Sequence, residues 1–343
     1  EPFTNNPIEE YASTGGYYFA TGKIAKKYIN ELFSKDILIN GEAYISSAYD
    51  LMIKDGLNVN VFDIDYFFQW GTPEDYKEFL YCMDEIDSLK TKKQINLSNF
   101  NLVIPAAGMG SRFSDKGYTT PKIFLNVNGN KMIKTILNKF KNQSTTSVLG
   151  NKDVIDKLNE VFADSSNVRL SSVDSVTKGQ SDSANLLIEE IENDLPIFIQ
   201  SADCILSDID LNNIMSLDPD LVVLTKQNYR RAITNPENYG WVLSENNLVN
   251  KTNIKKKPSN KNYSMILGSF IFKNKELYQK IYKELLKQAP GELHIDYMID
   301  IALSMDLKVV ELTSNSASVI GTPLEFELHK YSEFIFNRLQ NEN

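Results

Sequence analysis

Two cations follow a glycine-rich loop near the middle of the chain, and together they form a set that can hold a polyphosphate. The loop carries Gly108 and Gly110 and comes directly after the apolar segment 102–104, which predicts a buried strand. Such a turn brings backbone N–H groups close to phosphates. Arg112 would add a fork of donors and Lys122 a point charge. We therefore predict a triphosphate cradle, in which both cations offset charge on the attacked phosphate and on the leaving pyrophosphate.

The same residues have a plainer interpretation, a tight strand-to-helix turn with a solvated arginine and a solvated lysine. Known phosphate motifs do not decide between the two. The loop is not a Walker A, because no Gly-Lys-Ser/Thr follows it, and it is not a dinucleotide fingerprint, because the third glycine is missing. The features further along the chain favour the phosphate cradle.

A carboxylate follows a second apolar segment. Residues 196–200 predict a strand, and Asp203 comes just after it. Mg²⁺ prefers oxygen ligands and bridges phosphates, so Asp203 is the predicted metal ligand. The alternative is that Asp203 only caps a turn, which is common for an aspartate after a strand. Asp208 and Asp210 lie nearby, and we interpret them as solvated loop acids.

Three weaker signals would complete a substrate site. Gly179 would let a flat base lie against the backbone, and Gln180 would contact the edge of that base; the alternative is an ordinary helix start. Gly240 would admit a sugar ring, unless it belongs to a turn that leads into a core Trp241. Lys257 would contact an acceptor phosphate, although a solvated basic run is the usual meaning of such a cluster.

The segments that must position these residues alternate between strand and helix patterns from residue 100 onward. This alternation predicts an α/β fold, a Rossmann-like, mostly parallel mixed sheet with helices on both faces. Ligands of such folds gather at the carboxyl ends of the strands, so the glycine loop and Asp203 should converge. The predicted strands are 101–104, 168–173, 196–200 and 221–224, and the predicted helices are 131–142, 152–163 and 182–193.

The end of the chain repeats its beginning. Gly-Thr-Pro occurs at 71–73 and again at 321–323. A Gly-Glu pair precedes each copy, and its glutamate (Glu42 or Glu292) lies 29 positions before the glycine of Gly-Thr-Pro in both cases. Thr72 predicts a helix N-cap, with proline at the first helical position. Before residue 89 the pattern predicts strands at 16–19 and 58–62 and helices at 23–32, 43–54 and 73–86.

The repeat predicts the domain organisation. We expect residues 1–88 to be the C-terminal portion of a first nucleotide-site-like domain whose front half is absent, 89–99 to be a polar linker, and 100–343 to be a complete domain. A helper subdomain that never had a front half is the alternative for 1–88. Contact between the copies within one chain and a homo-oligomer both stay open.

Composition excludes several classes of protein. The chain has 343 residues, 42% of them apolar, and a net charge of -9, which argues against a general nucleic-acid binder. Two cysteines and two histidines leave little material for a disulfide framework, a zinc site or a Ser-His-Asp triad. No apolar run reaches the roughly 18 residues that span a bilayer, so we expect no membrane association and a cytoplasmic location.

With these motifs in order, the chain resembles the nucleotidyltransferases that make nucleotide sugars and related CDP-alcohols. The resemblance covers roughly 101–323, with 2–80 similar to the later part of a second copy. Its most specific parts are the loop Ala-Ala-Gly-Met-Gly-Ser-Arg and the Pro-Lys about ten residues later. The tetrapeptide Gly-Ser-Arg-Phe at the end of this loop is most similar to that of pyrophosphorylases associated with surface polysaccharide loci. The matching residues are Ala106, Ala107, Gly108, Gly110, Ser111, Arg112, Pro121, Lys122, Asp203, Tyr239, Gly240, Lys257 and Pro258.

The resemblance implies a GT-A-like fold and a reaction. Ala106 to Arg112, with Lys122, would bind the phosphates of an NTP, Asp203 would hold Mg²⁺, and Gly179 would lie by the base. Gly240 and Lys257 would face a phosphorylated small-molecule acceptor. The acceptor phosphate would attack the α-phosphorus in line and release pyrophosphate.

The sequence departs from the family at two places. Many relatives have a second metal-binding aspartate two residues before the late Gly-Thr, where this chain has Val319, and Asp296 is a speculative substitute. The glutamate that usually precedes Lys-Pro is Lys256 here, which puts recognition of a sugar hydroxyl in question and leaves a sugar 1-phosphate, a phospho-alcohol and a phospho-amino compound all open as acceptors. Two other functions stay open: a glycosyltransferase that uses Asp208-Ile209-Asp210, and a degenerate nucleotide-binding protein without catalysis.

Overall fold

The structure, a computed structural model, describes residues 11–64, 67–258, 262–288, 291–314 and 316–341. The chain divides into two compact units between Phe79 and Leu80. Within the described ranges no helix has the length and apolar character needed to cross a membrane. The helices are α1 (Gly22–Ser34), α2 (Ser46–Lys54), α3 (Pro73–Lys90), α4 (Ser111–Ser114), α5 (Met132–Leu137), α6 (Ile155–Val161), α7 (Gln180–Glu189), α8 (Leu211–Met215), α9 (Arg230–Thr234), α10 (Lys275–Gln288), α11 (Tyr297–Ser304) and α12 (Pro323–Asn341).

All strands of the described residues belong to the second unit. They are β1 (Ile95–Asn96), β2 (Asn101–Pro105), β3 (Asn126–Val127), β4 (Asn130–Lys131), β5 (Phe140–Lys141), β6 (Thr145–Asn151), β7 (Val168–Val173), β8 (Ile197–Ile199), β9 (Cys204–Ile205), β10 (Leu221–Lys226), β11 (Gly240–Glu245), β12 (Leu248–Ile254), β13 (Ser264–Phe272), β14 (Val309–Thr313) and β15 (Ser318–Val319).

The first unit is built on two packed helices. The apolar faces of α1 and α2 bury Tyr28, Leu32 and Leu51 in a small core, and the hydroxyl of Tyr28 donates to Asp55 at 2.8 Å. The helices predicted in this region are confirmed, whereas the strands predicted at 16–19 and 58–62 are wrong, because these segments carry no strand assignment. A strand needs a hydrogen-bonded neighbour. In the described part of this unit the structure has only the isolated bridge between Ile39 and Glu42.

The two Gly-Thr-Pro segments cap their helices in the same way. The Asp75 N–H donates to Oγ1 of Thr72 at 3.1 Å, and the Thr72 N–H donates back to Asp75, so the predicted N-cap of α3 is present. At α12 the Glu325 N–H likewise donates to Oγ1 of Thr322, at 3.2 Å. The caps agree with a repeat, although the front copy itself stays a prediction.

A nine-stranded mixed sheet forms the second unit, in the order β10-β14-β12-β11-β13-β8-β2-β6-β7. The strands β8, β2, β6 and β7 run parallel, and β13 pairs antiparallel with β8 on one side and with β10 and β11 on the other. Helices α7, α10 and α11 pack on this sheet through one core that includes Leu187, Phe270, Tyr278 and Ile299. The predicted α/β class with a parallel sheet portion is confirmed. The parallel register places the carboxyl ends of β2, β6 and β8 side by side.

Three segments differ from the sequence predictions. Strand β6 was not predicted, because its first residues, Thr145, Thr146 and Ser147, are polar and an interior strand is expected to be apolar. The helix predicted at 131–142 stops at Leu137, since the chain then enters β5. The expected linker 89–99 holds the end of α3 and strand β1, in which buried Ile95 pairs with Phe140 of β5. The polar composition of 89–99, rich in lysine and asparagine, gave no sign of these contacts in the sequence.

A buried pair fixes α3 to α12 within the second unit. The Nδ1 atom of His329 lies 3.0 Å from Oε2 of Glu85, and both side chains are fully buried. The Nε2 atom of His329 lies 3.0 Å from Oδ1 of Asn128. Burial leaves neither partner access to water, so each depends on the other.

We expect His329→Ala to lower the free energy of unfolding of the second unit by about 3–5 kcal/mol, because it leaves the buried Glu85 without its partner. Urea denaturation followed by Trp241 fluorescence in a Trp70→Phe background reports this unit alone, since Trp241 is buried within it. Lys330→Ala, on the exposed side of the same helix, is the control. A loss below 1 kcal/mol for His329→Ala would show that the pair does not stabilise the fold.

Candidate functional site

The glycine loop leaves β2 with its backbone anchored on one side and open on the other. The Ala106 N–H donates to the carbonyl of Leu149 in β6 at 2.9 Å, which fixes the start of the loop. Gly110 has a φ of +64° and leads into α4, a conformation that favours glycine. A Cβ at Gly108 would meet no heavy atom within 4 Å, so the loop faces free space at that residue.

A cavity of about 520 Å³ lies at the carboxyl ends of β2, β6 and β8. It brings the glycine loop together with Lys122 and Asp203, as the parallel register requires. Six of the predicted residues line it: Ala106, Gly108, Gly110, Lys122, Gln180 and Asp203. The other predicted residues, all within the described ranges, are not part of this lining: Ala107, Ser111, Arg112, Gly179, Gly240 and Lys257.

Three of these other residues still belong to the loop. Ala107 is buried, and its carbonyl accepts from the side chain of Asn151 at 3.3 Å. Ser111 begins α4, and Arg112 follows it with an exposed side chain. The guanidinium of Arg112 nevertheless acts electrostatically on Asp203, so its charge reaches the cavity.

An ion pair occupies the centre of the cavity wall. The Nζ atom of Lys122 lies 2.7 Å from Oδ2 of Asp203, and the two side chains are 18% and 29% exposed. The hydroxyl of Ser201 donates to the other oxygen of Asp203. Burial by itself would raise the pKa of Asp203, but Lys122, Ser201 and Arg112 together hold it below its usual range. Asp203 is therefore ionised and able to bind a cation.

A second carboxylate, which the sequence analysis missed, stands beside Asp203. A Cβ at Gly321 would lie 3.3 Å from Oδ2 of Asp203 and 3.5 Å from Oε2 of Glu325. Glu325 is buried and accepts hydrogen bonds from the Gly321 N–H at 3.0 Å, the Thr322 hydroxyl at 3.0 Å and the Tyr239 hydroxyl at 2.6 Å. From the sequence alone, the position of Glu325 shortly after Thr-Pro indicates only a helix cap. The fold is needed to show that Glu325 neighbours Asp203.

The donor set fits a cation that takes most of its ligands from substrate and water. The described residues contain no group of three or more His, Cys, Asp or Glu side chains arranged to hold a metal ion. Val319 pairs with Cys204 next to Asp203, so the place of the family's second aspartate is apolar. The oxygens of Glu325 are already hydrogen-bonded. Asp203 alone suits Mg²⁺, which binds proteins through one or two carboxylates together with phosphates.

The surroundings of Gly179 differ from the open space for a base that the sequence predicted. Its φ is +144°, and a Cβ there would lie 2.6 Å from the carbonyl oxygen of Leu293. The Leu293 N–H also donates to the carbonyl of Lys178 at 2.7 Å. The space predicted for a base thus holds the backbone of the loop at 291–296. Gln180 lines the cavity, and its Nε2 donates to the carbonyl of Gly268 at 3.3 Å.

Gly240 also faces a protein group. A Cβ at this position would lie 2.6 Å from Oδ2 of Asp296 and 2.9 Å from Cδ1 of Ile266. The close approach that the sequence assigned to a sugar ring is therefore made by a carboxylate of the chain itself. Burial raises the pKa of Asp296 to about 6, and Lys255 opposes the rise.

Lys255, rather than Lys257, reaches the cavity wall. Its Nζ atom donates to Nε2 of His294 at 2.8 Å, and His294 lines the cavity. Burial lowers the pKa of His294, and Lys255 lowers it further, against the opposite effect of Glu292, whose Oε2 atom lies 3.3 Å from the same Nε2. Lys257 is exposed. Sequence reasoning missed His294, although the alternation of apolar and polar residue types from 293 to 296 was a usable signal.

The aspartates of the Asp-Ile-Asp motif lie elsewhere. Asp208 pairs with Lys93 at 3.2 Å, and Asp210 caps α8 by accepting from the Asn213 N–H at 3.2 Å. Neither residue lines the cavity. Both act as loop acids, as predicted, and the glycosyltransferase interpretation loses its metal motif.

Two glycine substitutions should distinguish a glycine that is packed against backbone from one that faces free space. We expect Gly179→Ala to lower the free energy of unfolding by about 1–3 kcal/mol, because the new methyl group meets the backbone of Leu293 at positive φ. Gly108→Ala should change it by less than about 0.5 kcal/mol, since its methyl group enters free space. Thermal and urea unfolding of both variants measure the difference. Equal stability of the two would contradict the described packing.

Asp296→Asn should stabilise the protein in a pH-dependent way. The folded pKa of about 6 lies above the ordinary value of 3.8, so the folded state binds a proton more tightly than the unfolded state. The wild type therefore loses stability relative to the variant as the pH rises from 3.8 to 6, and the difference is constant above that range. Unfolding curves at several pH values test this. A difference that does not change with pH would rule out the raised pKa.

Comparison with known proteins agrees with this site. The family model for nucleotidyl transferases matches residues 101–326, which contain the glycine loop, Lys122 and Asp203. The chain therefore belongs to the nucleotidyl transferase family, a family of transferases. No curated protein matched the chain.

Solved structures share the fold. One is the nucleoside-diphosphate-sugar pyrophosphorylase from Vibrio cholerae RC9, with a TM-score of 0.56 and 20% identity, which covers 66% of this chain and 98% of that one. Another is the inositol-1-phosphate CTP transferase from T. maritima, with a TM-score of 0.52 and 17% identity, which covers 69% of this chain and 96% of that one. At this identity the likeness concerns the fold, and it confirms the predicted GT-A-like fold class.

Proposed function

We propose that this chain transfers the nucleotidyl group of an NTP to a phosphorylated small molecule and releases pyrophosphate. The observation that carries the proposal is the Lys122–Asp203 ion pair, which lies in a cavity together with an open glycine loop. A cation and an ionised carboxylate at one point match the two needs of an NTP, a donor for its phosphates and a ligand for its metal.

The glycine loop would position the phosphates. Gly108 faces free space, so an NTP phosphate can approach the backbone there without meeting a side chain. Lys122 and Arg112 would stabilise the charge that develops on the α-phosphate and on the leaving pyrophosphate. No nucleophilic side chain takes part, because the acceptor phosphate itself attacks the α-phosphorus.

Asp203 would hold Mg²⁺ together with the phosphates, and the ion would neutralise part of their charge. Lys122 then has to exchange its carboxylate partner for a phosphate oxygen. Ser201 would keep the Asp203 carboxylate oriented during this exchange, since it donates to the oxygen that Lys122 does not contact.

The acceptor would enter from the side of His294 and Gly240. Lys255 donates to His294 at the cavity wall and supplies a positive charge for the acceptor phosphate. Lys257, the residue that the resemblance favoured, would contribute from an exposed position. We further propose that the product is a precursor of a surface polysaccharide and that the reaction takes place in the cytoplasm, on the basis of the sequence resemblance and the need for NTP.

Pyrophosphate release across a matrix of NTPs and phosphorylated acceptors tests the proposal. We expect one combination to be active and expect both Lys122→Ala and Asp203→Asn to reduce it by about 100-fold or more. Lys116→Ala, which removes an exposed lysine just after α4, and Asp208→Asn, which removes an exposed loop acid, should keep wild-type activity.

Two results would contradict these assignments. Full activity of Lys122→Ala or Asp203→Asn would remove the roles given to them. Nucleotide binding without turnover by any acceptor would favour the non-catalytic alternative. Dependence of the active combination on added Mg²⁺, with loss in EDTA, would test the metal.

A further inference from the structure

The loop from Gly110 to Lys122 closes on itself and is filled by its own aromatic side chains. A Cβ at Gly110 would lie 3.7 Å from Cβ of Lys122, so the two ends of the loop are in contact. Between them, the rings of Phe113 and Tyr118 meet edge to face, with 5.3 Å between their centroids. The Tyr118 N–H also donates to the carbonyl of Phe113 at 3.1 Å. The loop is therefore a compact unit that carries Lys122 at its end.

Tyr118 fixes this loop to helix α12. The centroid of the Phe326 ring lies 6.0 Å from that of Tyr118 and 6.2 Å from that of Phe113. The Tyr118 hydroxyl donates to Oε1 of Glu327, a hydrogen bond that we call the loop anchor. Burial and this hydrogen bond raise the pKa of Tyr118 to about 12, so the hydroxyl keeps its proton at neutral pH. Lys330 lies 3.6 Å from the other oxygen of Glu327 and leaves Oε1 to Tyr118.

The first turns of α12 contact two walls of the cavity. Glu325 accepts from the Gly321 N–H at 3.0 Å, and a Cβ at Gly321 would lie 3.3 Å from Oδ2 of Asp203. Two residues further along the same helix, Glu327 accepts from Tyr118, which lines the cavity itself. The helix therefore connects the loop to the segment that carries Asp203.

The proposed reaction would make the loop anchor important. Lys122 is held by its ion pair with Asp203 at 2.7 Å. That pair has to open when the lysine moves to a phosphate oxygen, and the loop then loses this contact with the opposite wall. The loop anchor involves neither member of the pair, so it would persist through this step. Catalysis needs the lysine to stay close to its productive position, because small displacements of a catalytic group are costly.

We propose that Tyr118 is a positioning residue for nucleotidyl transfer, and that the loop anchor holds Lys122 in place once its ion pair with Asp203 has opened. The inference rests on the proposed function and adds a residue to it. Tyr118 transfers no proton and acts through Lys122. Its contribution is a narrower range of positions for the lysine, on which the stabilisation of developing charge depends.

Pyrophosphate release by the full chain, with its active NTP and acceptor, tests this role. Tyr118→Phe keeps the ring contacts and removes the hydroxyl. We expect it to lower kcat/KM about tenfold, mainly through kcat, which is the lower end for loss of a hydrogen bond to a charged group. Glu327→Ala removes the acceptor of the same bond and should have the same effect, and the double variant should be no worse than either. Lys330→Ala removes the other partner of Glu327 and should keep wild-type activity.

Combination with Lys122→Ala distinguishes positioning from a general effect on the fold. If Tyr118 acts through Lys122, Tyr118→Phe should lower kcat/KM by less than about twofold in the Lys122→Ala background, because the side chain that it positions is gone. A loss of about tenfold in both backgrounds would be additive. That result indicates a structural role and overturns the inference.

Limited trypsin digestion measures the loop anchor without any nucleotide. Lys116 is exposed in this loop, and Lys92 is an exposed reference outside it. We expect Tyr118→Phe and Glu327→Ala to speed cleavage after Lys116 about tenfold and to leave cleavage after Lys92 unchanged, because cleavage follows the open population of the loop. Mass spectrometry of the new chain ends gives both rates. Equal rates after Lys116 in wild type and variants overturn the loop anchor.

The outcomes separate this inference from the proposed function. Pyrophosphate release that Tyr118→Phe leaves unchanged overturns the positioning role and leaves nucleotidyl transfer intact, even where the digestion shows a looser loop. The absence of pyrophosphate release by the wild type with every NTP and acceptor overturns the proposed function, and the positioning role falls with it whatever the digestion shows.

Discussion

The ion pair between Lys122 and Asp203 is the interaction on which the site depends. Without substrate, the cation that suits phosphate and the carboxylate that suits a metal neutralise each other at 2.7 Å, so neither is left uncompensated in a partly enclosed cavity. In the proposed reaction, substrate would offer each a better partner, a phosphate to the lysine and a metal ion to the carboxylate. The parallel pairing of β2 with β8 makes this contact, because the segments that follow both strands leave the sheet at the same edge.

The convergence of the glycine loop, Lys122 and Asp203 on one cavity could be predicted from the sequence, and the physical reason is local. Gly108, Gly110 and Lys122 stand within one short stretch, and Asp203 follows a strand whose carboxyl end must meet that stretch in a parallel sheet. The surroundings of Gly179, assigned to the base, and of Gly240, assigned to the acceptor, could not be predicted to the same extent. Both glycines contact residues 291–296, which come from a distant part of the chain.

The same contrast, between local signals and contacts from distant parts of the chain, explains which helices and strands could be predicted. Helices α1, α2 and α3 follow from periodicity and capping, which are properties of neighbouring residues. Strands depend on partners from elsewhere: 58–62 has a strand pattern without a neighbour among the described residues, whereas β6 has a polar pattern and is strand because β2 and β7 flank it. Glu325 illustrates the limit, since its capping spacing was visible and its place beside Asp203 was not.

The fate of the two ends of the NTP tests the central claim most directly. The chain is incubated with its active acceptor and with an NTP labelled at either the α- or the γ-phosphorus. Transfer through the site of Lys122 and Asp203 predicts that all γ-label appears in pyrophosphate and all α-label in a diphosphate that joins nucleoside and acceptor. Label from the γ-position on the acceptor or in orthophosphate would contradict the account, because it would mean cleavage at the wrong phosphorus.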